Sequence, residues 1–191
     1  MGLFVLCNRQ KVKEYGKINT DIFKEGLLMQ KIICFHNPDE ENGWLSNWYL
    51  SMFTVDNITF SSMEQYMMYK KAEIFGDEDI KKEIMSTEDV GKIKALGRQV
   101  HNYNNIVWNG MRQIIIYEGL YAKYSQNDDL KEKLLKTGDR LLAECAVQDK
   151  IWATGISMKD DSRFDINKWT GQNLLGFATM LVRERIKKEE K

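Results

Sequence analysis

At 191 residues, 43% of them hydrophobic and 11% aromatic, the chain is long enough to bury one sizeable core and argues for a single globular domain. Its formal net charge is zero and no basic run interrupts the first 185 residues, which excludes a sequence-blind grip on a long phosphate backbone and leaves only local nucleic-acid contact. Cys7, Cys34 and Cys145 are scattered, odd in number and without a C-x-x-C pair, which excludes a disulfide framework and a cysteine zinc site and points to a reducing cytoplasm.

Residues 1–30 mix short apolar patches with Lys, Glu and Gly without a sustained period and read as an N-terminal extension; the opening Met-Gly lacks the Ser or Thr of a myristoylation start. The core domain is expected over residues 31–187. It opens with K-I-I-C-F, a strand pattern closed by Pro38 and an acidic turn. F-T-V-D-N-I-T-F then alternates apolar and polar residues around Asp56-Asn57, which predicts a tight hairpin. Helical signals follow: a helix carrying Glu64, then Asp77 to Met85, Thr87 to Leu96, Ile106 to Tyr124, Asp128 to Lys136 and Asn173 to Lys187. Leu141 to Gly155 reads as strand and loop. The expected fold is α+β, mostly α-helical, with a small hairpin or sheet. No run approaches a membrane span.

The first helix carries the most chemistry. In S-S-M-E-Q-Y-M-M-Y-K-K-A, Glu64 and Lys71 differ by roughly 20° on a helical wheel and by roughly 10 Å along the axis. Both fall within an apolar stripe between Met67 and Met68, with Gln65, Tyr69 and Ala72 on the opposite arc. Burying a charge is costly unless it is paired or used. Two readings compete. In one, Glu64 and Lys71 form a site. In the other, Ser61 is the N-cap of a capping box whose Glu64 reaches back, while Lys71 lifts its ammonium to water. Lys70 lies about 120° from Glu64, so the wheel favours Lys71 over it. Glu118, in line with Met111, Ile115 and Ala122, is a second in-stripe carboxylate. His36 and His101 are not spaced as a ligand pair, so neither a metal nor another cofactor is expected.

The ordered motifs resemble the NADAR family, also called YbiA-like. They are Leu45-Ser46-Asn47-Trp48, Phe60 to Tyr66 with Lys71-Ala72, Leu96-Gly97-Arg98, Trp108 with Arg112, Lys123, Leu135 to Asp139, Glu144, Asp149 with Trp152, Trp169 to Gly176, and Met180 with Arg183. Two positions depart from the family pattern: Gln65 stands where a histidine is usual, and Trp152-Ala153-Thr154-Gly155 replaces W-G-x-G. The resemblance implies a metal-independent N-glycosidase acting on ribosylated nitrogen compounds. The implied substrates are ADP-ribosylated guanine, free or in nucleic acid, and phosphoribosylamino-pyrimidine intermediates of riboflavin synthesis. Catalytic roles fall to Glu64, to Lys71 as acid/base partner or Schiff-base nucleophile, and to Asp149 as a second carboxylate or a turn residue. Substrate contacts fall to Ser46, Asn47, Arg98, Trp108, Arg112, Trp152, Trp169 and Asn173, with the arginines as phosphate clamps. The alternative is a module that binds ADP-ribose or NAD without turnover. Oligomeric state is left open, and no membrane partner is expected.

Overall fold

A computed structural model describes residues 32–190; the expected extension at 1–30 lies outside the described residues. The first apolar run forms β1 (Ile32–Phe35). A short 3-10 turn at Gly43–Leu45 leads to the hairpin β2 (Leu50–Val55) and β3 (Ile58–Ser62). Asp56 and Asn57 take φ of 51° and 64°, the left-handed pair of a type I′ turn, as the Asp-Asn signal predicts. Six α-helices follow among the described residues. They are α1 (Met63–Ile74), α2 (Glu78–Met85), α3 (Val90–Gly97), α4 (Asn105–Gln126), α5 (Asp128–Lys136) and α6 (Leu174–Glu189). Between α5 and α6 runs β4 (Leu141–Glu144).

The fold is thus α+β and mostly helical, as expected, with two separate two-stranded sheets. β4 pairs in parallel with β1, setting Phe35 beside Glu144, while β2 and β3 pair antiparallel. α3 begins at Val90 and not at Thr87, because the Asp89 side chain caps it by accepting from the Lys92 N–H at 3.0 Å, while Thr87 Oγ1 accepts from the Asp89 N–H.

α1 is the central element. It packs against α2, α3, α4 and β3, and Met63 to Tyr69 are all buried. The expectation of a single apolar stripe therefore fails for its first two turns, which are enclosed on every side; Lys70, Lys71, Glu73 and Ile74 near its end reach toward solvent. Phe53 and Phe60 of the hairpin meet Tyr66 edge-on, with Phe60 and Tyr66 centroids 5.1 Å apart. α6 covers β4 and α4. Among the described residues, no helix is long and apolar enough to cross a membrane.

On α4 the buried residues are Trp108, Arg112, Ile115, Ile116, Gly119, Leu120, Ala122, Lys123 and Tyr124. Glu118 is exposed, as is Met111, so the second in-stripe carboxylate expected from the sequence is a surface residue. The predicted stripe was displaced around the helix because the first half of α4 presents Ile106, Met111 and Ile114 to solvent.

α4 approaches α1 closely at Gly119. A Cβ there would lie 2.5 Å from two Tyr66 ring carbons and 2.8 Å from Met63 Cε, and both side chains are fully buried. Gly119→Ala is expected to destabilise the fold by about 1–3 kcal/mol through overpacking. Urea unfolding measures it; an unchanged midpoint would mean that the Tyr66 ring has room to move.

Candidate active site

α1 starts where Ser62 Oγ accepts from the Gln65 N–H at 3.2 Å, and Gln65 Oε1 accepts in turn from the Ser61 N–H at 2.7 Å. The cap is Ser62 with Gln65, one residue later than the Ser61 and Glu64 box expected from the sequence. That shift frees Glu64 from capping. The Glu64 N–H donates to the Asn47 carbonyl at 2.9 Å, and the residue is only 4% exposed. Burial pushes its carboxyl up to about 7, against the pull of Lys94, the Trp48 side chain and Arg98, while Asp149 adds to the rise.

The groups around Glu64 arrive from four segments. Lys94 and Arg98 come from α3 and its C-cap, and Lys94 Nζ lies 5.3 Å from the Trp48 ring centre. Trp48 belongs to the loop before β2. That loop is pinned by Lys123, which is fully buried and whose Nζ donates to the Trp44 and Ser46 carbonyls at 2.9 and 3.4 Å. Burial lowers the Lys123 ammonium to about 7.

Glu144 closes β4. Strand alternation turns Leu142 and Glu144 toward the main core, and Leu141, Ala143 and Cys145 to the opposite face. Burial pushes the Glu144 carboxyl up to about 8, reinforced by Asp149 and Glu64 and opposed by Lys94. Asp149 builds the turn after β4: its Oδ1 accepts from the Ile151 and Trp152 N–H groups at 2.9 and 2.8 Å. The turn role and the proximity to Glu64 and Glu144 coexist.

Arg112 is 8% exposed, with its guanidinium carbon 5.8 Å from the Trp152 ring centre. Its Nε is shielded and without a hydrogen-bond partner, and no carboxylate pairs with it among the described residues. Arg98 is exposed and likewise unpaired among them. The Asn47 carboxamide oxygen is also buried without a partner. Lys71 Nζ donates to the Gly97 carbonyl at 2.6 Å, lies 4.4 Å from the Tyr103 ring centre and 6.0 Å from that of Trp108, and burial lowers its pKa. Lys70 is instead held by Glu73 at 2.6 Å and Asp56 at 3.8 Å.

Three sequence-predicted residues serve the framework. Ser46 Oγ accepts from the Trp48 N–H at 3.3 Å and shapes the loop. Trp169 packs with Ile32, Cys34 and Cys145 behind the β1–β4 sheet, on the face away from Glu144, with its indole N–H donating to the Arg163 carbonyl at 2.9 Å. Asn173 is fully buried. Its Oδ1 accepts from the Glu144 N–H at 3.0 Å and its Nδ2 donates to the Leu142 carbonyl at 2.8 Å, so it neither caps α6 with its side chain nor faces a ribose.

Sequence reasoning missed Lys94 as a site residue, and it assigned Glu144 no role beyond a motif position. A cavity of about 400 Å3 lies elsewhere, beside Ile32, Cys34, Trp44, Arg140 and Arg163. Its cations are engaged: Arg140 donates to the Thr137 and Lys136 carbonyls, and Arg163 to the Met158 carbonyl. Among the described residues, no group of three His, Cys, Asp or Glu side chains could hold a metal ion.

Fold and site together define a small α+β domain that brings the Glu64 and Glu144 carboxyls within reach of Lys94 and Asp149. The chain belongs to the NADAR domain family, whose pattern residues 34–187 match. It is 43% identical over 162 residues to N-glycosidase R617 of Acanthamoeba polyphaga mimivirus, covering 81% of this chain and 95% of that protein. It is 29% identical to the riboflavin biosynthesis protein VVA0006 of Vibrio vulnificus, over 83% of this chain and 40% of the other. The NMR structure of Escherichia coli YbiA has the same fold, with a TM-score of 0.70 at 26% identity, covering 84% of this chain and 87% of that one.

The raised Glu64 carboxyl has a stability consequence. The folded state holds this proton more tightly than the unfolded chain, whose glutamate has the usual value of 4.5. Glu64 therefore contributes stability that is complete below about pH 4.5 and is lost as the pH rises through about 7. Glu64→Gln removes this dependence, so its stability relative to wild type should improve by a few kcal/mol between about pH 4.5 and about pH 8. Urea unfolding of both proteins at the two pH values tests it; a pH-independent difference would mean that Glu64 is hydrated.

Proposed function

We propose that this chain hydrolyses the bond between ribosyl C1 and a nitrogen of a base or amine, on a substrate whose sugar carries phosphate. N-glycosidase activity itself follows from membership of the family and from the relatives that bear that name. The observation that carries the finer reading is the buried Glu64 carboxyl under the pull of Lys94 and Arg98, neither of which forms an ion pair among the described residues. A developing oxocarbenium ion needs a negative charge near C1 and a group that takes a proton from water, and Glu64 supplies both. The shielded, unpaired Arg112 guanidinium needs an anion to offset its burial, and a substrate phosphate fits that need.

Attack at C1 by water fits the geometry better than attack by Lys71. The Lys71 ammonium is held by the Gly97 carbonyl and the Tyr103 ring, two turns of α1 beyond Glu64. Both implied substrates, ADP-ribosylated guanine and a phosphoribosylamino-pyrimidine, have this chemistry in common. The free, buried thiols of Cys34 and Cys145 support a reducing, cytoplasmic setting.

The test is a multiple-turnover assay of ADP-ribosylated guanine in an oligonucleotide against phosphoribosylamino-uracil, following released base and sugar. Turnover of one or both is expected; tight binding of either without release would make the protein a sensor.

Two variants dissect the site. Arg112→Met keeps the aliphatic bulk and should raise KM about 10-fold or more with kcat less affected, the scale of one charge-assisted hydrogen bond. An unchanged KM for a phosphorylated substrate would make Arg112 structural. Borohydride added during turnover should leave Lys71 unmodified, and Lys71→Ala should keep measurable kcat. A reduced sugar adduct on Lys71 would replace water attack with a Schiff-base route.

A further inference from the structure

The Glu144 carboxyl has an oxygen with no task in the fold. Its Oε2 is shielded from solvent and makes no hydrogen bond among the described residues. The backbone of the same residue is held on both sides: its N–H donates to Asn173 Oδ1 at 3.0 Å, and its carbonyl accepts from the Thr154 N–H at 2.8 Å. Asn173 is itself fixed, its N–H donating to the Ala153 carbonyl at 3.0 Å and its Nδ2 to the Leu142 carbonyl. Strand end, helix start and the 152–155 loop thus position Glu144 through main-chain bonds, and the side chain contributes nothing to them. A shielded carboxyl oxygen left without a partner destabilises a fold and calls for an explanation, of which a catalytic role is one.

We propose that Glu144 is the proton donor to the leaving nitrogen. The assignment rests on the N-glycosidase reading and adds a second catalytic residue to it. The bond from C1 to nitrogen breaks, and its electron pair goes to the nitrogen, which takes the proton of the Glu144 carboxyl. A water oxygen forms the new bond to C1 and gives a proton to the Glu64 carboxylate. One water is consumed, and free base and sugar are produced. Glu144 ends ionised and Glu64 protonated, and one proton returned from Glu64 to Glu144, directly or through solvent, restores the starting state.

The surroundings suit this division. Burial raises both carboxyls, Glu64 to about 7 and Glu144 to about 8, so both can exchange a proton near neutrality, and Glu144 is the one whose shielded oxygen has no partner in the fold. The groups that bear on Glu144 are Asp149 from the following turn, Lys94 from α3, Glu64 from α1 and the adjoining Cys145. Of the elements packed on β4, α6 brings Arg183, which donates to Thr137 and the Arg140 carbonyl. β1 brings Cys34 on the opposite face, and His36 follows β1 directly. Because Glu64 and Glu144 influence each other, a pH profile reports the pair.

The test uses the full chain and whichever of the two ribosyl substrates it turns over. Wild-type kcat/KM should fall on the alkaline side with a midpoint near 8. Glu144→Gln should lose about 10²-fold or more in kcat, with KM little changed, and its residual rate should no longer fall on that side. Glu144→Asp, which keeps a carboxyl, should restore part of the rate together with the alkaline fall. A purely structural Glu144 would leave the shape of the profile unaltered in every variant. Full turnover by Glu144→Gln, or an alkaline limb that survives in it, overturns the assignment alone. Should neither carboxyl variant fold, a wild-type profile flat through about pH 9 overturns it. Absence of turnover by wild type on both substrates sinks the N-glycosidase reading, and this assignment with it.

Discussion

The Gln65 carboxamide is the joint on which the site depends. Its oxygen accepts from the Ser61 N–H at 2.7 Å and from the Ser61 hydroxyl at 3.1 Å, while its Nε2 donates to the Ile84 and Thr87 carbonyls at 3.2 and 2.9 Å. One buried side chain therefore ties the end of β3 and the start of α1 to the connection that launches α3. α1 carries Glu64 and α3 carries Lys94 and Arg98, so the distance between the carboxyl and the charges that act on it is set through Gln65. Buried hydrogen bonds of this kind have only about 1 kcal/mol of net worth each, but leaving the partners unmade costs about 1–3 kcal/mol apiece. The geometry is thereby held stiffly.

Electrostatics then decides what the enclosed groups can do. Burial of Glu64 and Glu144 opposes ionisation of both, and their proximity prevents them from ionising together without penalty. Lys94 opposes that rise at both residues, which keeps Glu64 near the pH at which it can exchange a proton. Arg98 and Arg112 make no ion pair among the described residues, and Arg98 adds to the pull of Lys94 on the Glu64 carboxyl. Lys71 stands apart, its ammonium engaged by a carbonyl at the end of α3.

Much of the scaffold was legible in the sequence. Hairpin and helix order come from local signals, the Asp56-Asn57 turn among them, and five of the six helix starts fall within one residue of the expected positions, α1 starting one residue late. The misplaced α3 start reflects two adjacent cap residues, Thr87 and Asp89, of which only the second bonds into the helix. The burial of Glu64 was legible as a charge in an apolar setting. Glu144 was not, because L-L-A-E-C-A reads as an ordinary strand end. What carries it to Glu64 is the parallel pairing of β4 with β1, a contact between segments more than 100 residues apart that no local pattern encodes. Lys94 failed to stand out for a similar reason, since K-I-K-A-L on a surface helix is commonplace. Trp169 and Asn173, an aromatic and an amide inside a dense motif, have structural tasks that the motif does not disclose: one fills the rear core and the other clamps β4.

The two departures from the family pattern fall at framework positions. Gln65 faces the α2–α3 connection, where it can both donate and accept; a neutral imidazole in the same place also offers one donor and one acceptor. Ala153 is fully buried. Its carbonyl accepts from the Asn173 N–H, and its neighbour Thr154 accepts through its carbonyl from the Thr170 and Gly171 N–H groups at 2.9 and 2.7 Å. Gly155, at φ 75°, keeps the residue whose backbone the turn requires to be left-handed. Both substitutions bear on Glu64 and Glu144 through the backbone that positions them, and neither changes Lys94, Arg98 or Asp149, the charged groups that act on the two carboxyls.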